Sequence, residues 1–446
     1  MLDSQLRWLL RIFIASLAAT LLGCSRNTEL ISPPTMLLIS DGRTRFDAMP
    51  PELRDPPMQI IYAADRDIVK KTALGIEYGA GRSGKLVFGV AQVGFNRDLS
   101  WPEMQAMSRT EARPRPRVAV EMKQLTEMGI ICIPLEEMEV REGRYRVPAD
   151  KMALINAGRD ALHGQIREQL RLSPEKDVYL YVHGFNNSFE DAIFRLAMFY
   201  HYAGRPGVAI AYTWPAGRGG LFGYAYDRES GEFTVFHLKK FIEAVASCPE
   251  VERLHIIGHS RGTDVVCTAL RELNIEIRAK DLRTQEQLKL ENLVLAAPDL
   301  DSHVFEQRVA IEDLHLAARR MTVYLSRTDM ALAFSKWLFG GGSRLGNLTP
   351  EKFTPDARAK LAALKNFSLI DCQVSGWGTS HDYAFAHPAV VSDLILLLRD
   401  DKAPGAANGR PLTPTFEGVW RIENDYLLTP VAESAPNSLP ATQNSP

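Results

Sequence analysis

The chain has 446 residues, of which 46% are hydrophobic and 24% are charged, and its formal net charge is −2. This composition is ordinary for a globular protein, and the length allows one large domain with additions or two domains. The balanced charge, with no basic stripe carrying interleaved aromatic residues, argues against a nucleic-acid partner.

The first 24 residues have the pattern of a lipoprotein signal peptide. Two arginines precede an apolar run over 12–23, which is shorter than the roughly twenty residues of a membrane span. Leu21-Leu22-Gly23-Cys24 resembles the lipobox of bacterial lipoproteins, in which the cysteine becomes the lipid-modified first residue. The resemblance implies a signal peptide over 1–23 and membrane attachment through acylated Cys24. Because Ser25, and not an aspartate, follows Cys24, the lipoprotein resemblance implies attachment to the outer membrane, facing the periplasm. The alternative is an uncleaved anchor or a plain secretory signal.

Composition and periodicity divide the remaining chain into three parts. Residues 24–57 carry several proline pairs and are predicted to form a disordered tether, and residues 401–446, rich in Pro, Ala and Asn, a largely disordered tail. Residues 58–400 are predicted to form the folded domain, because strand-like runs alternate there with helical patterns. This alternation predicts an α/β fold with a mostly parallel sheet and helices on both faces. The predicted strands are 58–63, 85–93, 178–182, 208–213, 254–258, 293–296, 322–325 and 367–374, and the clearest predicted helices are 189–202, 234–246, 263–273 and 388–398.

Two patterns point away from nucleotide and metal chemistry. Residues 79–85 fit the first seven positions of a phosphate-binding P-loop, but Leu86 replaces the required Ser or Thr and a strand pattern follows. We therefore predict a hairpin turn there. The four cysteines that follow Cys24 in the chain have no metal-ligand spacing, which predicts buried free thiols, or a disulfide in an oxidising compartment, and no metal site. They are Cys132, Cys248, Cys267 and Cys372.

The sequence from Gly258 to Gly262 is typical of a nucleophile elbow. It follows a strand pattern and begins a helical one, and it places glycines two residues on either side of Ser260. A serine on so tight a strand-to-helix turn needs them, because a side chain at either position would clash. Ser260 is therefore the predicted nucleophile.

A serine hydroxyl needs a base, and the base needs a third group to orient it. In α/β-hydrolases the order along the chain is Ser, acid, His. His381 lies in a loop after the last predicted strand, whereas His387 directly precedes Pro388 and suits a capping role. Asp329 follows the penultimate strand and is the predicted acid, with Asp299 as the alternative.

The remaining site residues are predicted from their positions in the same fold. The second oxyanion donor should come from the loop after strand 178–182, where His183-Gly184-Phe185 is similar to the histidine-glycine oxyanion loops of esterases. The predicted donors are the backbone N–H groups of Phe185 and Arg261. His183 and Trp214 are candidates for lining the substrate site. The insert at 334–364, with its glycine run, is a candidate lid.

Taken together, these motifs resemble a bacterial α/β-hydrolase family of unknown function, the domain of unknown function nine hundred, often grouped with esterases and lipases. The resemblance runs over about 59–399, and Arg261 stands where that family more often has Met. It rests on Tyr62 to Arg66, His183 to Phe189, Trp214-Pro215, Tyr226-Asp227, Gly258 to Gly262, Leu295 to Asp301 and Ser326 to Leu332.

These observations predict a serine hydrolase of the bacterial envelope that cleaves carboxylic esters of small molecules or lipids through an acyl-enzyme, with no cofactor. Thioesterase, acyltransferase and peptidase reactions would use the same residues. The alternative from another class is a non-catalytic binding or scaffold protein that retains the fold.

Overall fold

A computed structural model of the protein describes residues 29–39, 44, 46–54, 57–110, 117–329, 345–376 and 381–428. Its centre is an eleven-stranded sheet in the order β12-β13-β11-β10-β9-β8-β6-β7-β1-β2-β3, and β4 and β5 form a separate hairpin. The strands are β1 (Met58–Thr72), β2 (Gly75–Phe95), β3 (Val120–Cys132), β4 (Glu139–Arg141), β5 (Arg144–Arg146), β6 (Asp177–Val182), β7 (Val208–Thr213), β8 (Arg253–His259), β9 (Leu290–Ala296), β10 (Arg320–Leu325), β11 (Phe367–Gln373), β12 (Thr413–Phe416) and β13 (Val419–Glu423).

From β13 to β1 in this order, each strand is parallel to the next. At the margins of the sheet, β12 pairs antiparallel with β13, β2 with β1, and β3 with β2. The central strands β6 and β7 are buried along their whole length. Strands covered on both faces lack polar alternation, which is why these two appear in the sequence as continuous apolar runs. The predicted mostly parallel sheet is confirmed.

Helices cover both faces of the sheet. The core on one face involves the helices Phe189–Tyr202 and Pro388–Leu398, and the core on the other involves the helices Ala149–Arg171, Gly220–Ala246 and Gly262–Arg278. The helices are α1 (Pro51–Arg54), α2 (Trp101–Ser108), α3 (Ala149–Arg171), α4 (Phe189–Tyr202), α5 (Gly220–Ala246), α6 (Gly262–Arg278), α7 (Thr284–Leu288), α8 (Ser302–Phe305), α9 (Pro355–Ala363), α10 (Tyr383–Ala386) and α11 (Pro388–Leu398). Within the described residues, no helix combines the length and the apolar character that crossing a membrane requires.

The described residues before β1 are folded, which corrects the prediction of a disordered tether over 24–57 for this part of it. The backbone N–H of Leu30 donates to the Val118 carbonyl at 2.9 Å, and the Thr35 and Ser392 hydroxyls lie 2.8 Å apart. Phe46 stacks on Trp101 with 5.3 Å between ring centroids. The proline pairs Pro33-Pro34 and Pro50-Pro51 therefore belong to an ordered strap. Its buried apolar residues are Leu30, Met36, Leu37, Phe46 and Met49.

The predicted disordered tail is also folded as far as Leu428. Residues 413–423 form β12 and β13, and β13 extends the parallel part of the sheet beside β11. The fully buried Arg410 guanidinium pairs with the Asp393 carboxylate on α11 through two contacts of 2.8 and 2.6 Å. This ion pair links α11 to the segment that follows it, 17 residues further along the chain, and local composition carried no sign of it. Residues 429–446 lie outside the described residues.

Of four smaller predictions, one is wrong, one is confirmed, and two fall wholly or partly outside the described residues. Residues 79–85 run within β2 and are not the hairpin turn, which occurs at 73–74. Cys132, Cys248, Cys267 and Cys372 are buried free thiols. The signal peptide with Cys24 lies outside the described residues. The candidate lid at 334–364 is described only from Leu345 onward, where it forms two 3₁₀ turns and α9.

Candidate active site

Ser260 occupies the sharp turn between the end of β8 and the start of α6. Its φ of +52° lies in the left-handed region that residues with a side chain seldom adopt. Gly262 makes the turn feasible, since a Cβ atom there would lie 2.3 Å from the carbonyl oxygen of His183. The Ser260 N–H donates to the Ala296 carbonyl at 2.9 Å, which ties the turn to β9. The structure therefore has the strand, turn and helix predicted around Ser260.

Ser260, His381 and Asp329 form a continuous chain of hydrogen bonds. The Ser260 Oγ atom lies 2.7 Å from His381 Nε2, and His381 Nδ1 lies 2.7 Å from Asp329 Oδ2. Asp329 and His381 are carried by the loops after β10 and β11, and the Asp329 side chain is fully buried. When Nδ1–H donates to the carboxylate, Nε2 is left to accept the serine proton. This is the arrangement that activates a serine.

The two alternative residues lie elsewhere in the same region. Asp299 accepts a 2.9 Å hydrogen bond from the Tyr224 hydroxyl, and its backbone N–H donates to the Ser260 carbonyl at 3.2 Å. His387 caps α11, where its Nδ1 accepts from the Ala389 N–H at 3.3 Å. The structure thus brings Asp329, and not Asp299, to Nδ1 of His381.

The electrostatic environment favours a protonated His381. Burial by itself lowers the pKa of this imidazole, but the charge of the Asp329 carboxylate and its hydrogen bond raise the pKa by more, to about 9. Asp382 and Asp299 contribute in the same direction. An imidazole in this position holds a proton more firmly than a free histidine does.

The loop after β6, from His183 to Asn187, is called the oxyanion loop after its predicted role, and it passes directly over Ser260. A Cβ atom on Gly184 would lie 2.6 Å from the Ser260 Cβ, so only glycine allows this approach. Within the described part of the chain, the backbone N–H groups of Phe185 and Arg261 donate to no protein acceptor. The N–H of Arg261 also lies at the start of α6, where the helix dipole favours negative charge. Two such donors beside Ser260 suit a developing oxyanion.

Arg66, at the buried part of β1, holds this loop in place. Its Nη2 donates to the Asn187 carbonyl at 2.9 Å and to His183 Nε2 at 3.1 Å. Its Nη1 donates to the carbonyls of Ala216 at 2.9 Å and of Gly79 at 3.0 Å. Burial lowers the pKa of Arg66 to about 10, which still leaves it charged at neutral pH. One guanidinium therefore joins the oxyanion loop to three other segments.

His183 and Trp214, which the sequence predicts to line the substrate site, are both fully buried. The two rings stack with centroids 5.1 Å apart, and Trp214 Nε1–H donates to the His183 carbonyl at 2.7 Å. His183 Nδ1 lies 2.9 Å from the Gly184 carbonyl. Because neither side chain reaches the surface, we correct the prediction: both residues support the oxyanion loop.

The Arg261 side chain turns to an acidic partner on its own helix. Its Nη2 lies 2.7 Å from Asp264, which is also 2.6 Å from Arg308. Burial lowers the pKa of Arg261, but Asp264 and Asp299 outweigh burial and the pKa is raised. The guanidinium is thus held by a carboxylate in the first turn of α6.

Sequence reasoning assigned no role to three residues near the site: Arg66, Asp227 and Tyr224. Asp227 accepts a 2.9 Å hydrogen bond from the Asn186 N–H, and burial raises the pKa of its carboxyl to about 6. The sequence signal that could have identified Arg66 and Asp227 is that both belong to motifs on which the family resemblance rests. Their partners are 117 and 41 residues away, so spacing in the sequence does not reveal the contacts.

Comparison with known proteins identifies the family of the fold. No curated protein matches the chain. The family described as alpha/beta hydrolase of unknown function (DUF900) matches residues 158–399, more than half of the chain, and the match includes Ser260, Asp329 and His381. The protein therefore belongs to this α/β-hydrolase family.

Proposed function

We propose that the protein is a serine hydrolase that cleaves carboxylic esters. The observation that carries the proposal is the chain of two 2.7 Å contacts that links Asp329, His381 and Ser260. The strained backbone of Ser260 supports it, because such strain is costly and persists at sites that use it. A binding protein that had lost the reaction would have no need of a strained serine.

On this proposal each group has a role. Ser260 Oγ attacks the ester carbonyl while its proton passes to His381 Nε2, and Asp329 stabilises the resulting imidazolium. The tetrahedral oxyanion accepts hydrogen bonds from the Phe185 and Arg261 N–H groups, each of which is worth roughly a hundredfold to a thousandfold in rate. Collapse of the intermediate expels the alcohol, which takes the proton from His381. Water, deprotonated by His381, then releases the carboxylic acid from the acyl-enzyme.

The reaction class is tested with matched activated esters, thioesters and anilides that share one acyl group. We expect the purified protein to hydrolyse the ester and release both alcohol and acid. Hydrolysis of the anilide at an equal or higher rate would instead identify a peptidase. Transfer of the acyl group to an added alcohol in preference to water would identify an acyltransferase.

The pH profile of kcat/KM should have its acid limb well above 6.5, the usual pKa of histidine. Only neutral His381 accepts the serine proton, so the active fraction falls as pH falls below its pKa. With that pKa raised to about 9, kcat/KM should rise up to about pH 9. Initial rates between pH 5 and 10 measure it. A plateau that begins near pH 6.5 would contradict the electrostatic effect assigned to Asp329.

We also propose that the protein is anchored in the bacterial envelope, at the outer membrane facing the periplasm, through acylated Cys24. The lipobox resemblance supports this location. Five residue steps separate Cys24 from Glu29, where the described chain begins beside Ala119. An extended chain covers about 3.4 Å per residue, so the reach is at most roughly 17 Å. On this proposal the domain lies close to the bilayer.

Replacing Cys24 by serine should release the protein from the membrane, because the acyl chains supply the attachment. Fractionation of cells that express the full chain measures it. The Cys248→Ser variant, which changes a buried thiol, is the control and should stay with the membrane. Equal membrane retention of Cys24→Ser would contradict the proposed anchor.

A further inference from the structure

The C-terminal strand β13 lies beyond the part of the chain that matches the family, which ends at residue 399. It pairs in parallel with β11 from Leu369 opposite Val419 to Gln373 opposite Glu423. His381 follows β11 in the chain. An addition to the family domain thus lies directly beside the strand that leads to the base.

The end of β13 contacts the loop that carries His381. The Asn424 Oδ1 atom accepts a hydrogen bond from the Ser375 N–H at 3.0 Å, and Asn424 Nδ2 donates to Ser375 Oγ at 3.4 Å. Ser375 lies at the beginning of this loop, two residues after β11 ends. Asn424 therefore fixes the point from which the loop starts toward the site.

The same strand is linked to the loop that carries Asp329. Arg327 lies two residues before Asp329, and its Nη2 is 2.7 Å from both Glu351 and Asp371. Arg421 on β13 shares these carboxylates, with Nη2 2.8 Å from Glu351 and Nε 3.8 Å from Asp371. Two arginines on two carboxylates make a network that connects β13 to the acid loop.

Buried polar contacts hold the C-terminal segment firmly enough to serve as a support. Besides the Arg410 pair, the Asp393 carboxylate accepts hydrogen bonds from the hydroxyls of Tyr324 at 2.7 Å and Tyr426 at 2.8 Å. Tyr426 lies two residues after Asn424. Removing one member of such a network leaves buried charge unpaired, which is strongly destabilising.

We propose that β13 positions both loops of the candidate triad, with Asn424 as the positioning residue for the His381 loop and Arg421 for the Asp329 loop. The inference rests on the proposed function, and neither residue touches the reacting atoms. Holding the base and the acid in register matters because a misplacement of about 1 Å can cost roughly a hundredfold in rate. On this proposal, the segment that follows the family match helps to set the geometry of the site.

The test uses Arg421→Ala, Asn424→Ala and the double variant in the full chain. Glu417→Ala is the matched control, because Glu417 lies in the same hairpin and pairs only with exposed Lys365 at 2.8 Å among the contacts described. We expect the double variant to lose at least roughly tenfold in kcat for the ester, with KM nearly unchanged, and Glu417→Ala to match the wild type. Asn424→Asp keeps the acceptor for the Ser375 N–H and should restore most of the Asn424→Ala loss.

The acid limb of the pH profile is the readout that a merely structural role would not move. In the double variant, a looser His381–Asp329 contact should lower the pH of the acid limb from about 9. Wild-type kcat and an unshifted limb in the double variant would overturn the proposal. If the wild type hydrolyses no ester, the proposed function fails, and hydrogen exchange then decides this inference. Faster exchange at 326–329 and 381–387 than in Glu417→Ala supports it, and equal exchange overturns it.

Discussion

Replacing Ser260 by alanine is expected to lower kcat for ester hydrolysis by about a millionfold, the scale found when a triad nucleophile is removed. The substitution deletes the oxygen that lies 2.7 Å from His381 Nε2 while leaving the turn, the oxyanion loop and the histidine in place. Initial rates with an activated ester measure the loss, and circular dichroism with thermal unfolding checks the fold.

Ser247→Ala is a suitable control for this variant. Ser247 directly follows α5 as its C-cap residue, its hydroxyl donates to the Ala244 carbonyl at 2.8 Å, and it has no part in the site. Its kcat should equal that of the wild type. A Ser260→Ala protein that keeps more than about a hundredth of the wild-type rate would mean that another group carries the reaction.

Replacing Asp329 by asparagine should lower kcat by about ten thousandfold. The amide would present an N–H group to Nδ1 of His381 and so favour the tautomer that carries its proton on Nε2. In that tautomer Nε2 no longer accepts the serine proton, although the side chain keeps its size. The same change removes the charge that raises the pKa of His381, so the remaining activity should have its acid limb at lower pH.

Asp299→Asn decides between the two acids that the sequence leaves open. Asp299 is bonded to Tyr224, and His381 has both ring nitrogens occupied by Ser260 and Asp329. We expect Asp299→Asn to lose no more than about tenfold in kcat, the scale of one ordinary hydrogen bond. A larger loss from Asp299→Asn than from Asp329→Asn would reverse the assignment.

The sequence predicted the parts of the fold that are determined locally. The bounds of β7 and of helices α4 and α11 were predicted to the residue, because their apolar patterns are uninterrupted and clear stop signals flank them. The elbow around Ser260 was predictable because the strand, the glycines and the helix are adjacent in the chain. The order of residues along an α/β-hydrolase then placed His381 and Asp329.

The features that were not predicted depend on contacts between distant segments. Arg410 stands in a proline-rich stretch, and its guanidinium is buried against the Asp393 carboxylate and against the Tyr324 hydroxyl, which lies 86 residues earlier in the chain. The described residues between 29 and 54 pack against later parts of the chain, as the contact between Thr35 and Ser392, 357 residues apart, illustrates. His183 and Trp214 were assigned to the correct region but to the wrong role, since burial follows from packing and not from spacing.

The most direct test of the central claim is the reaction of the purified protein with a fluorophosphonate probe, followed by mass spectrometry of its peptides. An activated serine displaces fluoride from the probe and keeps the phosphonyl group, whereas ordinary serines do not react. We predict one adduct, on Ser260, that is lost in His381→Ala with the fold intact. An unlabelled wild type, or an adduct on any other residue, would contradict it.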